Sequence, residues 1–379
     1  MHPIISRLRT STVSLTAVAV LGAALAVNAP AFVSAAGTQC PITIAEQGST
    51  TVGPALVQAQ SGFQTANGGC TLSITQNGSG AGLTAVAGGT ADIAASSRPL
   101  KTSGAETGLY AWKIGGDAMV IAVKSTSVVS SITTAQVKGI WEGTITSWST
   151  IDASASGTIV PRSRILGSGS SDDFLRLFGV GAAAEGTTIS GTGLARLTTS
   201  ADEADAACNN VGQVVYTSLA NLALHGPSGS GCLKALTVDG VAPSVLTVQN
   251  GTYPAPRTLY LAMRKDSFSL STAPADSALT KAKDLVNYML SSAGQAAVGA
   301  VGFVQVAVPA TKAILDYDVN TDGAVGLGDI GQITSKWSLA GQPSCPGWIR
   351  ADVNNDGAIG LGDIGQITSK WGAAGFVAP

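Results

Sequence analysis

The chain has 379 residues, 12% of them charged, with a formal net charge of −2. That length accommodates more than one domain, and the lack of a basic field or an acidic block argues against a nucleic-acid binder and against a disordered acidic tail. The 47 glycines follow no collagen period and cluster with Ser, Thr and Ala, as tight loops between apolar segments do.

At the N-terminus Arg7 and Arg9 precede the apolar run Leu15 to Val27, and the small-residue stretch Val33, Ser34, Ala35 follows. This is the pattern of a secretory signal peptide over residues 1–36, cleaved near Ala35 or Ala36. The run is short for a membrane span, so a secreted or cell-surface product is expected. Strands are predicted at "CPITIAEQ", "CTLSITQN", "DAMVIAVK", "GQVVYTSL" and "RTLYLAMR", short apolar or alternating runs bounded by turn residues. "VGPALVQAQSGFQ" places Val52, Ala55, Leu56, Ala59 and Phe63 on one helical face, and "ALTKAKDLVNYMLSS" reads as a second helix. The alternation from about Cys40 to Val308 predicts an α/β fold. Export makes disulfides plausible; proximity in sequence suggests Cys40–Cys70 and Cys208–Cys232 and leaves Cys345 over.

Three loops share one chemistry: "GSTTVGPAL" from Gly48, "NGSGAGLTAV" from Asn77 and "GSGSSDDFLRLF" from Gly167. Each sets Gly, Ser or Thr before a helix-like run, where unpaired amides and the positive end of the helix dipole face outward. Taken singly, each loop is ordinary N-capping; converging, the three replace the hydration shell of a small oxyanion, with Arg164 supplying charge. Asp117, Asp172 and Asp173 are candidate proton acceptors, although helix-terminus and hinge roles explain them as well. Arg98 is read equally as an anion contact or a brace. No nucleophile–base set, nucleophile elbow or paired-carboxylate site is found, so no enzyme activity and no catalytic residue is expected.

From about Ile42 to Val308 the chain resembles the phosphate-binding proteins of phosphate ABC transporters, the Pst type, through "GSTTVGP", "NGSGAGLTAVAGGTADIAASSRPLK", "QVKGIWEGTITSW", "RILGSGSSDDF", "YPAPRTLYLAMR" and "MLSSAGQAAVGAVGFV". The resemblance implies a two-lobed type II periplasmic-binding-protein-like fold with a hinge over residues 37–312, lobe 1 about 37–114 and 257–312, lobe 2 about 115–256. It implies inorganic phosphate held by Thr50, Thr51, Ser79, Ser97, Arg164, Ser168, Gly169 and Ser170, and an ABC permease as partner. Ser170 stands where many members have threonine, and Ser97 where some have a carboxylate that accepts the proton of hydrogen phosphate and repels sulfate. Another tetrahedral oxyanion, such as sulfate or molybdate, is the alternative ligand.

"DVNTDGAVGLGDIGQITSKW" and "DVNNDGAIGLGDIGQITSKW" start at Asp318 and Asp352 and mark a separate C-terminal module over residues 313–379. Their spacing fits a calcium loop, with ligands Asp318, Asn320, Asp322, Ala324 (backbone) and Asp329 in the first copy. In the second copy they are Asp352, Asn354, Asp356, Ala358 (backbone) and Asp363, so two calcium ions are expected. One helix follows each loop, with Ile330, Ile333, Trp337 and Ile364, Ile367, Trp371 facing one way. The module resembles a type I dockerin, which implies a small all-α calcium-binding domain and a cohesin-like partner; Leu327-Gly328 and Leu361-Gly362 stand where many dockerins carry Ser-Thr. An adhesion protein, or a component of a polysaccharide-degrading assembly, is the alternative this module suggests.

Overall fold

The computed structural model describes residues 42–67, 70–265, 276–309, 312–315, 317–319, 324–335, 353 and 359–374. The expected signal segment, Cys40, Cys345, Trp337, Asn320, Asp322, Asp352, Asn354, Asp356 and Ala358 lie outside them.

The first strands are β1 (Ile42–Gly48), β2 (Cys70–Thr75), β3 (Ile93–Ser96), β4 (Leu109–Ala118), β5 (Val120–Lys124) and β6 (Ser131–Ile132). They are followed by β7 (Val160–Pro161), β8 (Gln213–Thr217), β9 (Leu233–Ala235), β10 (Thr237–Val238) and β11 (Pro256–Arg264). The first helices are α1 (Gly53–Ala66), α2 (Ser79–Ala87), α3 (Thr134–Trp141), α4 (Gly169–Phe178), α5 (Ala182–Gly191) and α6 (Ser200–Asn209). The others are α7 (Leu219–His225), α8 (Val245–Gln249), α9 (Asp276–Met289), α10 (Ser292–Ala300), α11 (Leu327–Ser335) and α12 (Leu361–Ser369).

Two sheets organise the α/β part. One has the order β2-β1-β3-β11-β4, the other β7-β8-β5-β9. The first is parallel where β1 pairs with β2 and β3, and antiparallel where β11 enters. Each sheet has its own core. Ile44, Leu56, Phe63, Leu72, Ile93, Leu261 and Leu285 pack beside the first. Val120, Trp141, Phe174, Val215 and Tyr216 pack beside the second. The chain crosses between sheets at Met119 and returns at Ala255, and these points are bonded to each other, Met119 N donating to Ala255 O at 2.9 Å. The Tyr253 hydroxyl also donates to Met119 O, at 2.9 Å.

The predicted α1 face is buried as expected, Ala55, Leu56, Ala59 and Phe63 turning inward. Strand "DAMVIAVK" is divided: Asp117 and Ala118 end β4, and β5 begins at Val120. The lobe boundary expected near residue 114 therefore falls inside β4. That strand runs on because Gly116 admits Val304 closely and exchanges two backbone bonds with it, at 2.8 Å each. Cys208 and Cys232 form the expected disulfide, tying α6 to the approach of β9. The Cys40–Cys70 pairing is not formed: Cys70 opens β2 as a free, buried thiol.

In the C-terminal module Val319, Val325, Ile333, Ile359 and Ile367 make a third core between α11 and α12. Ile330 and Ile364 pack against it, but Trp371 does not share that face. It follows the end of α12, after Lys370, and is 51% exposed. Among the described residues no helix is long and apolar enough to cross a membrane.

Candidate functional site

The three Gly/Ser/Thr loops open α1, α2 and α4, and none of these helices has a side-chain cap from its N-cap residue (Val52, Gly78 and Ser168). By contrast, Thr133, Thr199, Ser218, Ser244 and Ser291 all cap their helices with a side-chain oxygen. In the first loop Ser49 Oγ nevertheless accepts from Thr51 N at 3.2 Å and Val52 N at 3.3 Å, so ordinary capping accounts for that loop in part and leaves the other two unexplained. Gly48 is required where the first begins, since a Cβ there would lie 2.2 Å from Ala95 O.

Arg164 sits at the centre, 1% exposed. Stacked Phe174 and Tyr216 rings, 4.2 Å apart, hold it in place, because the Tyr216 hydroxyl accepts from Arg164 N at 2.8 Å. Its guanidinium donates to Glu203 Oε1 (2.6 Å), Ser200 Oγ (3.2 Å), Thr198 O (3.0 Å) and Thr50 Oγ1 (2.9 Å). The last contact links the loop after β1 to the segment after β7, which serve different sheets. Thr51 Oγ1 lies 3.2 Å from Ser170 Oγ and 3.0 Å from Ser200 Oγ, and Thr50 Oγ1 lies 3.2 Å from Ser200 Oγ.

Ser79 and Ser97 form the opposite wall. Ser79 Oγ accepts from Ser97 N at 3.1 Å. Both hydroxyls face Gly169, whose absent Cβ would lie 2.2 Å from Ser79 Oγ and 2.6 Å from Ser97 Oγ. Gly80 N donates to Gly167 O at 3.0 Å, joining the second loop to the third. Ser168 is buried at the start of α4. The eight residues expected to line the site thus meet in one buried region.

The carboxylates are occupied. Asp117 accepts from Arg257 Nε (2.7 Å), Ala118 N and Leu219 N (2.8 Å each), and burial raises its pKa despite Arg257. Burial likewise raises Glu203, against the pull of Arg164. Asp172 pairs with Arg98 at 3.0 Å, and Asp173 with Arg176 at 2.6 Å. Arg98 also holds Glu106 at 2.7 Å, so it is a brace that reaches α4.

Ser200, Glu203 and Arg257 were not read from sequence as site residues. Thr199 takes the capping role of α6, leaving Ser200 at the first helical position with its hydroxyl turned to Thr50 and Thr51. Arg257 lies in β11 and reaches Ser170 Oγ at 2.9 Å. Their local patterns signal only a cap and a strand.

A family model described as a PBP superfamily domain matches residues 34–293. A structure from Clostridium perfringens described as a phosphate ABC transporter substrate-binding protein with bound phosphate superposes with a TM-score of 0.59 at 25% identity, covering 70% of this chain and 99% of that one. An ABC-type phosphate transport receptor from Vibrio cholerae superposes with a TM-score of 0.54 at 21% identity, covering 70% and 100%. Phosphate-binding protein PstS 2 of Streptococcus agalactiae is 32% identical over 102 residues, 27% of this chain; the match spans 35% of that relative's length.

Proposed function

The chain belongs to the PBP superfamily, and from that premise we propose that it is an extracytoplasmic receptor that captures inorganic phosphate between its two lobes and hands it to an ABC permease. The observation that carries this reading is the convergence on Arg164 of Thr50, Thr51, Ser170 and Ser200 hydroxyls from different loops. The starts of α2 and α4, which no N-cap side chain closes, add amide donors to the same region. Such a cage replaces water around a tetrahedral anion without a covalent step. The phosphate named for the Clostridium perfringens relative supports the choice of ligand. Titration calorimetry with phosphate and with sulfate tests it: heat with phosphate is expected, and no heat with phosphate refutes it.

The repeats are proposed to bind two calcium ions and to dock a cohesin-like module. Asp329 and Asp363 support this by their equivalence: both are buried, and each accepts from a glycine amide three residues back, Gly326 N at 2.6 Å and Gly360 N at 2.7 Å. Asp318 is buried as well. Buried aspartates with oxygen-only chemistry suit a hard cation, which would favour folding of the module. Leu327 and Leu361, at matching positions and 75% and 76% exposed, would supply the docking contacts. A chelator is expected to loosen this module and leave phosphate heat unchanged; a melting profile indifferent to calcium and chelator refutes the metal assignment.

A further inference from the structure

We infer that Arg257 is a positioning residue of the anion cage: its bond to Ser170 turns the serine proton toward the bound oxyanion. The inference rests on the oxyanion reading above. A guanidinium has only donors, so in the contact from Arg257 Nη1 to Ser170 Oγ, 2.9 Å long, the serine oxygen accepts. A hydroxyl has one proton and two lone pairs. With one lone pair filled from Arg257, the proton is directed elsewhere, toward Thr51 Oγ1 at 3.2 Å or a ligand in the cleft.

Arg164 acts in the same sense at the other end, filling lone pairs on Thr50 (2.9 Å) and Ser200 (3.2 Å). Between the two arginines runs a chain of hydroxyls, Ser170, Thr51, Ser200 and Thr50, joined by contacts of 3.2, 3.0 and 3.2 Å. Four hydroxyls bring four protons and three contacts use three, so one proton always points outward. An arriving oxygen with free lone pairs can draw the others round. An arriving hydroxyl proton meets, at both ends of the chain, oxygens with one lone pair already engaged by arginine.

Arg257 is well placed to enforce this direction. Its Nε and Nη2 both lie 2.7 Å from Asp117 Oδ2, and both side chains are fully buried. Asp117 is itself fixed by Ala118 N and Leu219 N. Arg257 and Asp117 sit opposite each other on paired strands β11 and β4, beside the crossover at Met119. Ser170 belongs to α4, whose Phe174 packs in the core of the other sheet. The bond thus joins the hinge strands of one lobe to the anion loop of the other.

The test is a double-mutant cycle in the full chain, read as the phosphate dissociation constant by calorimetry. Asp117→Asn serves as the common background, so that Arg257→Gln leaves no lone buried carboxylate. In that background Arg257→Gln is expected to weaken binding about tenfold, and Ser170→Ala by a similar factor. With Ser170→Ala already present, Arg257→Gln is expected to change affinity less than about twofold. If Arg257→Gln does not fold, Arg257→Lys carries the same cycle, with about threefold in place of tenfold. Equal losses with and without Ser170, or no loss from either Arg257 exchange, overturn the inference while the oxyanion reading stands. An unmutated protein that takes up no phosphate overturns both.

Discussion

Glu46 gives the sharpest quantitative test of the folded state. It lies on β1, two residues before Gly48, and is 2% exposed. Oε1 accepts from Ala95 N at 3.2 Å, while burial pushes the carboxyl pKa up from 4.5 to about 8. Between these values the unfolded chain has lost the proton and the folded chain keeps it. Stability is therefore highest below the unfolded pKa and declines as pH rises from 4.5 to about 8. At neutral pH the gap corresponds to about 3 kcal/mol, an upper figure that local relaxation reduces. Glu46→Gln keeps the shape and an oxygen for Ala95 N but does not titrate. Thermal melting from about pH 5 to about pH 8.5 is expected to give a flatter profile for the variant, with its largest advantage at the alkaline end. Other buried carboxylates, such as Asp117 and Glu203, titrate in both proteins and drop out of the comparison. Identical pH slopes for the two proteins would show that Glu46 is not the buried acid described.

Gly169→Ala is expected to abolish phosphate binding and to lower the melting temperature as well, because the new methyl would lie 2.2 Å from Ser79 Oγ and 2.6 Å from Ser97 Oγ, both buried, and must push them apart. Calorimetry beside a melting curve checks it, and retained affinity would move the anion elsewhere. Reducing Cys208–Cys232, which closes a span of 24 residues, is expected to lower stability by roughly 3 kcal/mol. Melting with and without reductant measures this, and an unchanged transition would mean that the second core needs no clamp.

The α/β organisation was legible where hydrophobic pattern is local. β1, β2, β8 and β11 coincide with alternating or apolar runs, and the inward face of α1 is the one its spacing indicated. β4 was not, because Lys113 and the Gly115-Gly116 pair interrupt its pattern; Val298 and Val304, far along the chain, explain those glycines. Arg164 and the three loops could be named because each helix start is a local signal. Ser200 and Arg257 could not, since each gains its role from a partner more than 80 residues away. The Cys40–Cys70 expectation shows the opposite error, as closeness in sequence does not fix which thiols meet.

The cage is balanced before any ligand enters. Arg164 faces Glu203 at 2.6 Å and Arg257 faces Asp117 at 2.7 Å, all four side chains being buried. Each pair carries no net charge, so neither arginine offers a surplus cation to an arriving anion. The ligand's charge must be met by helix amides and hydroxyls, fixed dipoles whose field acts at short range. Dissolved salt screens exposed charges over about 8 Å and reaches a desolvated cage of dipoles poorly. Phosphate affinity is therefore expected to fall less than about threefold between low salt and about 0.5 M sodium chloride. A loss of tenfold or more would require uncompensated cation at the site, and the pairing of each arginine with its own carboxylate would then be wrong. Glu203→Gln supplies the converse: it releases Arg164 from its partner, so salt sensitivity should rise in that variant even if affinity increases.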